Sequence, residues 1–309
     1  MNKKRVLAML LAGAMALSMT ACGGGNSAST DGSSNDGGAS ASGGSYKVSV
    51  ILKTLAAEYW QYVKSGAEDY ASEHSDKVTV EVKGPSSETA FDEMQNMIET
   101  DLSSGTYDGI VISPLQSDTA AQLVSGTKLP IVAIDTNFTA PEVKSFVGTG
   151  NEAAAKKGGE AAVEAAKAAG WTDIKCIEIA GVQGDQTNTA RMNGYKAGVE
   201  EAGGTFLSDE VQYADATADR ATTAMEAIMQ THPEGIAIIC ANNDDMAMAA
   251  ARAAQGHDAY KNTIFLGFNG DRAACEAILD GQMTMSVAQM AYEMGYKAVE
   301  TMVQVLDGE

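Results

Sequence analysis

Polar side chains that could hold a small hydroxylated molecule follow several apolar runs of this sequence. Asp135-Thr-Asn137 comes directly after Ile131–Ile134, and Asn269-Gly-Asp271 follows Ile264–Phe268. Asp, Asn, Gln and Arg side chains match vicinal hydroxyls with paired donors and acceptors. Aromatic rings, such as those of the pair Tyr59-Trp60, suit the C–H faces of a sugar. The pattern predicts a binding site for a small polar ligand.

The second half of the chain adds further polar segments of the same kind. Gly184-Asp-Gln-Thr-Asn-Thr-Ala-Arg191 and Ala241-Asn-Asn-Asp-Asp245 each follow an apolar run, and Ala288-Gln289 follows another. In doubly wound sheets, ligands bind beyond the carboxyl ends of the strands. We therefore expect two sets of polar groups, one in each half, at strand ends. Asp244 is expected to cap the helix that begins there.

The elements that position these segments are predicted from the hydrophobic pattern. From Lys47 onward, short apolar runs alternate with amphipathic helical patterns. The strand candidates are Lys47–Leu52, Val78–Val82, Gly109–Ile112, Ile131–Ile134, Ile174–Ile179, Gly235–Cys240, Ile264–Phe268 and Thr284–Val287. The helix candidates are Tyr59–Glu73, Thr89–Leu102, Glu152–Ala169, Ala190–Ala202, Arg220–Thr231, Asp244–Ala254 and Ala291–Leu306. Strict β–α alternation predicts an α/β fold of parallel sheets covered by helices on both faces.

The first residues have the composition of an export signal. A positive segment, Lys3-Lys-Arg5, precedes an apolar run at 6–17 that is too short to span a membrane. Ser18-Met-Thr-Ala-Cys22 resembles a bacterial lipobox, so residues 1–22 are interpreted as a lipoprotein signal peptide and Cys22 as the lipidated residue. The alternative is an ordinary signal peptide with an incidental cysteine. Residues 23–45 are rich in Gly, Ser and Ala and are expected to form a disordered tether.

Composition narrows the class of partner. The formal net charge is −20, which argues against nucleic acid or an anionic surface, because both need clustered Lys and Arg. His74, His232 and His257 share no metal-ligand spacing, so neither a metal nor another cofactor is expected. Cys176 and Cys240 lie in apolar runs and are interpreted as small buried hydrophobes rather than disulfide or metal ligands.

Three segments carry a specific resemblance: Phe265-Leu-Gly-Phe-Asn-Gly270, Cys240-Ala-Asn-Asn-Asp-Asp-Met-Ala-Met248 and Leu129-Pro-Ile-Val-Ala-Ile-Asp135. They resemble the periplasmic ribose- and galactose-binding proteins, over about residues 46–309. The resemblance implies a type I periplasmic binding protein fold, with two doubly wound parallel-sheet lobes joined by a hinge. The first lobe would comprise residues 46–149 and 290–309, and the second lobe residues 150–289.

The resemblance also implies roles for single residues. Tyr59 and Trp60 match the family's aromatic pair that stacks on the sugar. The expected polar ligand-binding residues are Asp135, Asn137, Arg191, Asn243, Asn269 and the hinge residue Gln289. The alternative to ligand binding for the aromatic pair is helix packing. For Asp135 and Arg191 the alternative is a hinge salt bridge or a surface role.

The sequence also departs from the family pattern. Ala57 stands where an asparagine is common, Thr136 replaces the arginine of ribose binders, and Asn269 replaces an aspartate. No aromatic residue occupies the region of Ala216, so the identity of the sugar stays open. In members of the family, a last hinge strand follows the helix that corresponds to residues 291–306. We therefore expect this chain to be a fragment.

The function implied is capture of a small polar ligand, a monosaccharide above all, by hinge closure outside the cytoplasm, with delivery to an ABC permease. Such a protein would be a lipid-anchored monomer and not an enzyme. One alternative is a ligand-sensing receptor for chemotaxis or quorum signalling. Another is a nucleotide-binding enzyme, since Gly148-Thr-Gly-Asn-Glu-Ala153 matches G-x-G-x-x-A before a helix. A repressor of the same fold would need a helix-turn-helix where the export signal stands.

Overall fold

The computed structural model describes residues 45–309. The predicted signal peptide, Cys22 and nearly all of the predicted tether therefore lie outside the described residues. Within them, the chain forms two parallel sheets, each covered by helices on both faces. This architecture confirms the predicted α/β class.

The first lobe contains a five-stranded sheet with the order β2-β1-β3-β4-β5. Its strands are β1 Tyr46–Ile51, β2 Val78–Lys83, β3 Gly109–Ile112, β4 Ile131–Ile134 and β5 Val143–Val147. The helices between them are α1 Glu58–Glu73, α2 Phe91–Ser104 and α3 Ser117–Val124. The inner strands β3 and β4 are buried at every position, as expected where helices cover both faces of a parallel sheet.

The second lobe begins with helix α4, Asn151–Ala168, and has a six-stranded sheet with the main order β11-β10-β9-β6-β7. The strands are β6 Lys175–Ala180, β7 Thr205–Phe206, β8 Gln212–Tyr213, β9 Ile238–Ala241, β10 Ile264–Asn269 and β11 Met285–Ala288. The other helices are α5 Gln186–Glu201, α6 Ala218–Thr231, α7 Asp244–Ala254 and α8 Arg272–Leu279. Cys176 and Cys240 are free and buried in this sheet, as predicted.

The chain then returns to the first sheet through α9, Ala291–Asp307, which packs against α1, β3, β4 and β5. The two sheets are therefore connected twice in the described chain, at 148–150 and at 289–290. Helices α1 and α9 approach so closely that a Cβ atom on Gly66 would lie 1.9 Å from the carbonyl oxygen of Tyr292. A Cβ atom on Gly295 would lie 1.9 Å from the carbonyl oxygen of Val63. Two glycines thus permit backbone-to-backbone packing that joins α9 to the first lobe.

The predictions missed the short or irregular elements. Strand β5 alternates between half-buried and exposed residues at a sheet edge, so it lacks the continuous apolar run of the inner strands. Strands β7 and β8 have two residues each, and helices α3 and α8 have eight each. Such lengths give too few periods for a hydrophobic pattern to emerge. No helix among residues 45–309 combines the length and apolarity needed to cross a membrane.

Candidate functional site

The carboxyl ends of the strands in the two lobes face each other across a cavity. Its wall brings together most of the predicted binding residues, namely Tyr59, Trp60, Asp135, Arg191, Asn243 and Asn269. These residues come from strand ends and from the helices that follow strands in both lobes, so the cavity lies at the position where doubly wound folds bind ligands.

The aromatic pair opens α1 on the first-lobe wall. Tyr59 and Trp60 meet edge to face, with ring centroids 4.9 Å apart. Both rings pack in the core beneath the site and also line the cavity, so helix packing does not exclude contact with a ligand. The Tyr59 hydroxyl donates to Asp135 Oδ1 at 2.8 Å, and Trp60 Nε1 donates to Glu88 Oε1 at 2.9 Å. These bonds fix the orientation of the two rings.

Asp135 directly follows β4 and has an unusual backbone conformation. Its φ is 61°, in the left-handed region that aspartate adopts more readily than most residues. Its Oδ2 atom accepts a hydrogen bond from the Thr136 hydroxyl at 2.9 Å. Thr136 Oγ1 in turn lies 2.8 Å from Thr187 Oγ1 of the second lobe. A chain of hydrogen bonds therefore runs from Tyr59 through Asp135 and Thr136 to the opposite lobe.

Arg191 provides the second-lobe cation. Its Nε atom donates to Asn151 Oδ1 and its Nη1 atom to the Asn242 carbonyl oxygen, each at 2.8 Å. The guanidinium also lies 3.9 Å from the centroid of the Phe268 ring, within the range of a cation–π contact. These bonds use two of the five N–H groups, so the fork is fixed in position while donors remain for a ligand. The alternative of a surface role is excluded, because Arg191 is 5% exposed.

The segment after β9 corrects one prediction. The cap of α7 is Asn243, whose Oδ1 atom accepts from the Met246 N–H at 2.9 Å, and not Asp244. Asp244 instead accepts from the backbone N–H groups of Gly270 and Asp271. Its carboxylate thus ties the end of β10 to the start of α7. Asn243 both caps a helix and lines the cavity.

Two predicted residues lie outside the cavity wall. Gln289 is buried behind Asn269 and donates to its Oδ1 atom at 3.0 Å, which makes it a positioning residue in this geometry. Asn137 is exposed, and its carbonyl oxygen accepts from the Ser117 hydroxyl at 3.0 Å. Asn137 lines a separate groove beside Phe146 and Gln186.

The wall also contains six polar residues to which the sequence pattern gave no individual binding role: Lys53, Glu88, Asp185, Asn188, Asn242 and Asp245. The last four lie in the polar segments 184–191 and 241–245, which were expected at strand ends. Lys53 could have been found, since it lies two residues beyond the carboxyl end of β1, where binding groups are expected. Asp185 caps α5 by accepting from the Asn188 N–H at 2.7 Å, and it also accepts a hydrogen bond from the Lys53 ammonium. Glu88 lies in the loop between β2 and α2, where no periodic pattern marks it.

The wall carries more carboxylates than cations. Glu88, Asp135, Asp185 and Asp245 face Lys53 and Arg191. Burial alone would lower the pKa of Lys53, but the carboxylates of Asp185, Asp135 and Glu88 outweigh it and raise that pKa. Burial raises the pKa of Glu88, against the opposing effect of Lys53, and burial together with Glu58 raises the pKa of Asp245.

Behind the wall, burial raises the pKa of Asp271 to about 7, and the neighbouring charges of Asp244 and Asp245 add to the shift. No group of three or more metal-ligating side chains occurs within residues 45–309.

A model of the periplasmic binding protein domain matches residues 48–309. The chain belongs to this family. Its relatives include the ribose import binding protein of Escherichia coli (strain K12), which is 27% identical over 266 residues, covering 85% of each chain. The D-allose-binding periplasmic protein of the same organism is 30% identical over 264 residues, covering 82% of each. Membership confirms the resemblance and places the protein outside the cytoplasm.

Solved structures agree on the fold of this family. A carbohydrate transporter solute-binding protein from Agrobacterium radiobacter, in complex with D-arabinose, has a TM-score of 0.77 and 25% identity. The match covers 86% of this chain and 90% of that one. An ABC transporter solute-binding protein from Bacillus halodurans, with bound myo-inositol, has a TM-score of 0.75 at 22% identity. That match covers 87% of this chain and 92% of the other. The two-lobed architecture is thus that of type I periplasmic binding proteins.

Proposed function

We propose that this protein captures a monosaccharide or a similar polyhydroxylated molecule between its lobes and delivers it to an ABC permease. One observation carries the proposal: an aromatic pair and hydrogen-bonding groups from both lobes line a single cavity. Tyr59, Trp60 and Asp135 come from the first lobe, and Arg191 and Asn243 from the second. Two relatives are named as ribose- and D-allose-binding proteins, and these names support the same class of ligand.

The mechanism follows from this division of the site. A ligand held by one lobe alone gains only half of the available contacts, so binding favours the form in which the hinge is closed. The closed shape would then be recognised by the permease. The crossings at 148–150 and 289–290, near the predicted lobe boundaries, are where we place the hinge. No covalent step is part of this function.

The proposal also includes the anchor. Residues 1–22 would direct export, Cys22 would carry the lipid, and the residues up to 45 would hold the lobes away from the membrane. Two acyl chains on one residue give stable attachment, whereas a single chain binds only marginally. Such attachment would keep the protein close to a permease in the same membrane.

Binding is tested by a thermal-shift screen of the protein lacking residues 1–22 against monosaccharides, polyols, nucleosides and furanose compounds. A ligand at 100 times its Kd should stabilise the protein by about 2.7 kcal/mol. We expect a shift with at least one monosaccharide or polyol, confirmed by calorimetry. A screen in which only nucleosides shift the unfolding temperature, or in which nothing does, would contradict the proposal.

Replacing Arg191 with alanine should weaken binding of the ligand found in that screen by roughly 10- to 100-fold, the value of a charge-assisted hydrogen bond. The matched control is Arg220→Ala, because Arg220 is 66% exposed and is not part of the cavity wall. Calorimetry on both variants, with circular dichroism to verify the fold, checks the prediction. Equal affinity of the Arg191→Ala variant and the wild type would show that this arginine does not bind the ligand.

A further inference from the structure

An ion pair joins the two lobes inside the cavity. Lys53 follows β1 in the first lobe, Asp185 caps α5 in the second lobe, and the Lys53 ammonium donates to Asp185 Oδ2. The two side chains are only 4% and 7% exposed. Other cross-lobe contacts flank the pair. They are the Thr136–Thr187 hydroxyl contact and a 3.3 Å bond from the backbone N–H of Ala273, at the start of α8, to Glu58 Oε2.

Burial of this pair depends on the lobes being together. Each partner comes from a different lobe, so opening the hinge separates them and lets water solvate both charges. On closure both charges lose water, and their attraction offsets this desolvation only when both are present. A single buried charge without its partner is strongly unfavourable, whereas two neutral side chains of similar shape are tolerated.

We propose that Lys53 and Asp185 form a charge-matched latch, which permits the lobes to close when both charges are present or both are absent, but not when one is missing. Neither residue was predicted as a binding residue, and their role here is to position the lobes around a ligand. The inference rests on the hinge motion of the proposed function, but it does not depend on which ligand binds.

Closure can be measured without a ligand by trapping. The parent variant carries Glu58→Cys and Ala273→Cys, at positions that touch across the cleft, together with Cys275→Ser, which removes an exposed native thiol nearby. A short bismaleimide then links the two cysteines only while the lobes are together. The initial rate of linkage, read from gel mobility, reports the population of the closed form.

Four variants are compared in this background. Lys53→Met keeps most of the side-chain volume without the charge, and Asp185→Asn keeps a residue that caps helices as well as aspartate does. The third variant combines both changes. The control is Lys83→Met, since Lys83 pairs with Asp101 inside the first lobe. Circular dichroism and thermal unfolding verify that each variant is folded before its rate is compared.

We expect Lys53→Met to slow trapping by at least about 100-fold, the cost of an unpaired buried charge. Asp185→Asn should slow it less, because Asp135 and Glu88 of the first lobe still face Lys53. The double variant should recover to within about threefold of the parent, and the control should trap at the parent rate. The latch is contradicted if the single variants cross-link at the parent rate, or if the double variant cross-links more slowly than either single variant. A parent that never cross-links would instead contradict the hinge motion on which the proposed function rests. Because trapping is measured without a ligand, a negative ligand screen would not affect its interpretation.

Discussion

Replacing Glu178 with glutamine will make the protein more stable at pH 8 and will flatten its stability between about pH 4.5 and pH 8. Glu178 lies on β6, is fully buried, and neither carboxyl oxygen has a hydrogen-bond partner among the described residues. Burial raises its pKa from 4.5 to about 8, although the nearby Asn242 amide, which is outside good hydrogen-bond geometry, and the charge of Arg191 oppose the shift. Glutamine has nearly the same shape and no charge to desolvate.

The sign of the effect follows from proton linkage. Between the two pKa values the unfolded chain releases the proton of Glu178 while the folded protein retains it. Stability is therefore highest below the unfolded pKa and falls as pH rises toward the folded pKa. A shift from 4.5 to about 8 corresponds to a loss of up to about 5 kcal/mol, since one pKa unit is about 1.4 kcal/mol. The glutamine variant lacks this loss.

Urea unfolding of the wild type and the Glu178→Gln variant at several pH values from 4.5 to 8.5 measures the difference. Glu226→Gln is the control, because Glu226 is an exposed glutamate on a helix of the same lobe. Its curve should follow that of the wild type. Comparison of variants cancels the contributions of other buried acids, such as Asp271. Parallel curves for wild type and Glu178→Gln would show that the buried carboxyl does not control this pH dependence.

The second large effect is expected at Gly295, where alanine should destabilise the protein by at least about 3 kcal/mol. Overpacking a core commonly costs about 1–3 kcal/mol, and here the new methyl group meets backbone, which cannot rotate away as a side chain can. The added Cβ would lie 1.9 Å from the Val63 carbonyl oxygen, so α9 must move away from α1. Gly66→Ala should act on the same contact from the other side.

Gly150→Ala is the matched control, since a Cβ there meets nothing within 4 Å and its φ of −71° suits any residue. Urea or thermal unfolding of the three variants checks the prediction. Because Gly66 and Gly295 share one helix contact, the double variant should lose less stability than the sum of the single changes. If Gly295→Ala unfolds like Gly150→Ala, the helices can separate at little cost.

The sequence alone predicted the inner framework well, because the inner strands are continuous apolar runs. Ile131–Ile134 and Gly109–Ile112 were placed with the bounds that the structure has. The edge strand β5 was missed, since its residues alternate between half-buried and exposed positions, whereas the edge strands β2 and β11 were predicted to within one residue at each end. The cap at Asn243 was assigned one residue too late, which is the usual precision of helix ends.

The site was less predictable than the framework. Asp135 and the aromatic pair stand out by residue type and position, and resemblance to a family then assigned roles to them and to Arg191. Lys53 and Asp185 are separated by 132 positions and meet only through the packing of two lobes. No local pattern encodes such a contact. Asn137 has a suitable residue type and follows β4, yet it lines a groove separate from the cavity.

The pairing of α1 with α9 has a consequence for the order of folding. The second-lobe elements run without interruption from α4 to β11, so this lobe can assemble as soon as its own residues are present. Helix α1 cannot complete its core until α9, more than 200 residues later, has been made. Contacts of such sequence separation form slowly, because a long loop must be closed first. The first lobe should therefore reach its final structure after the second lobe.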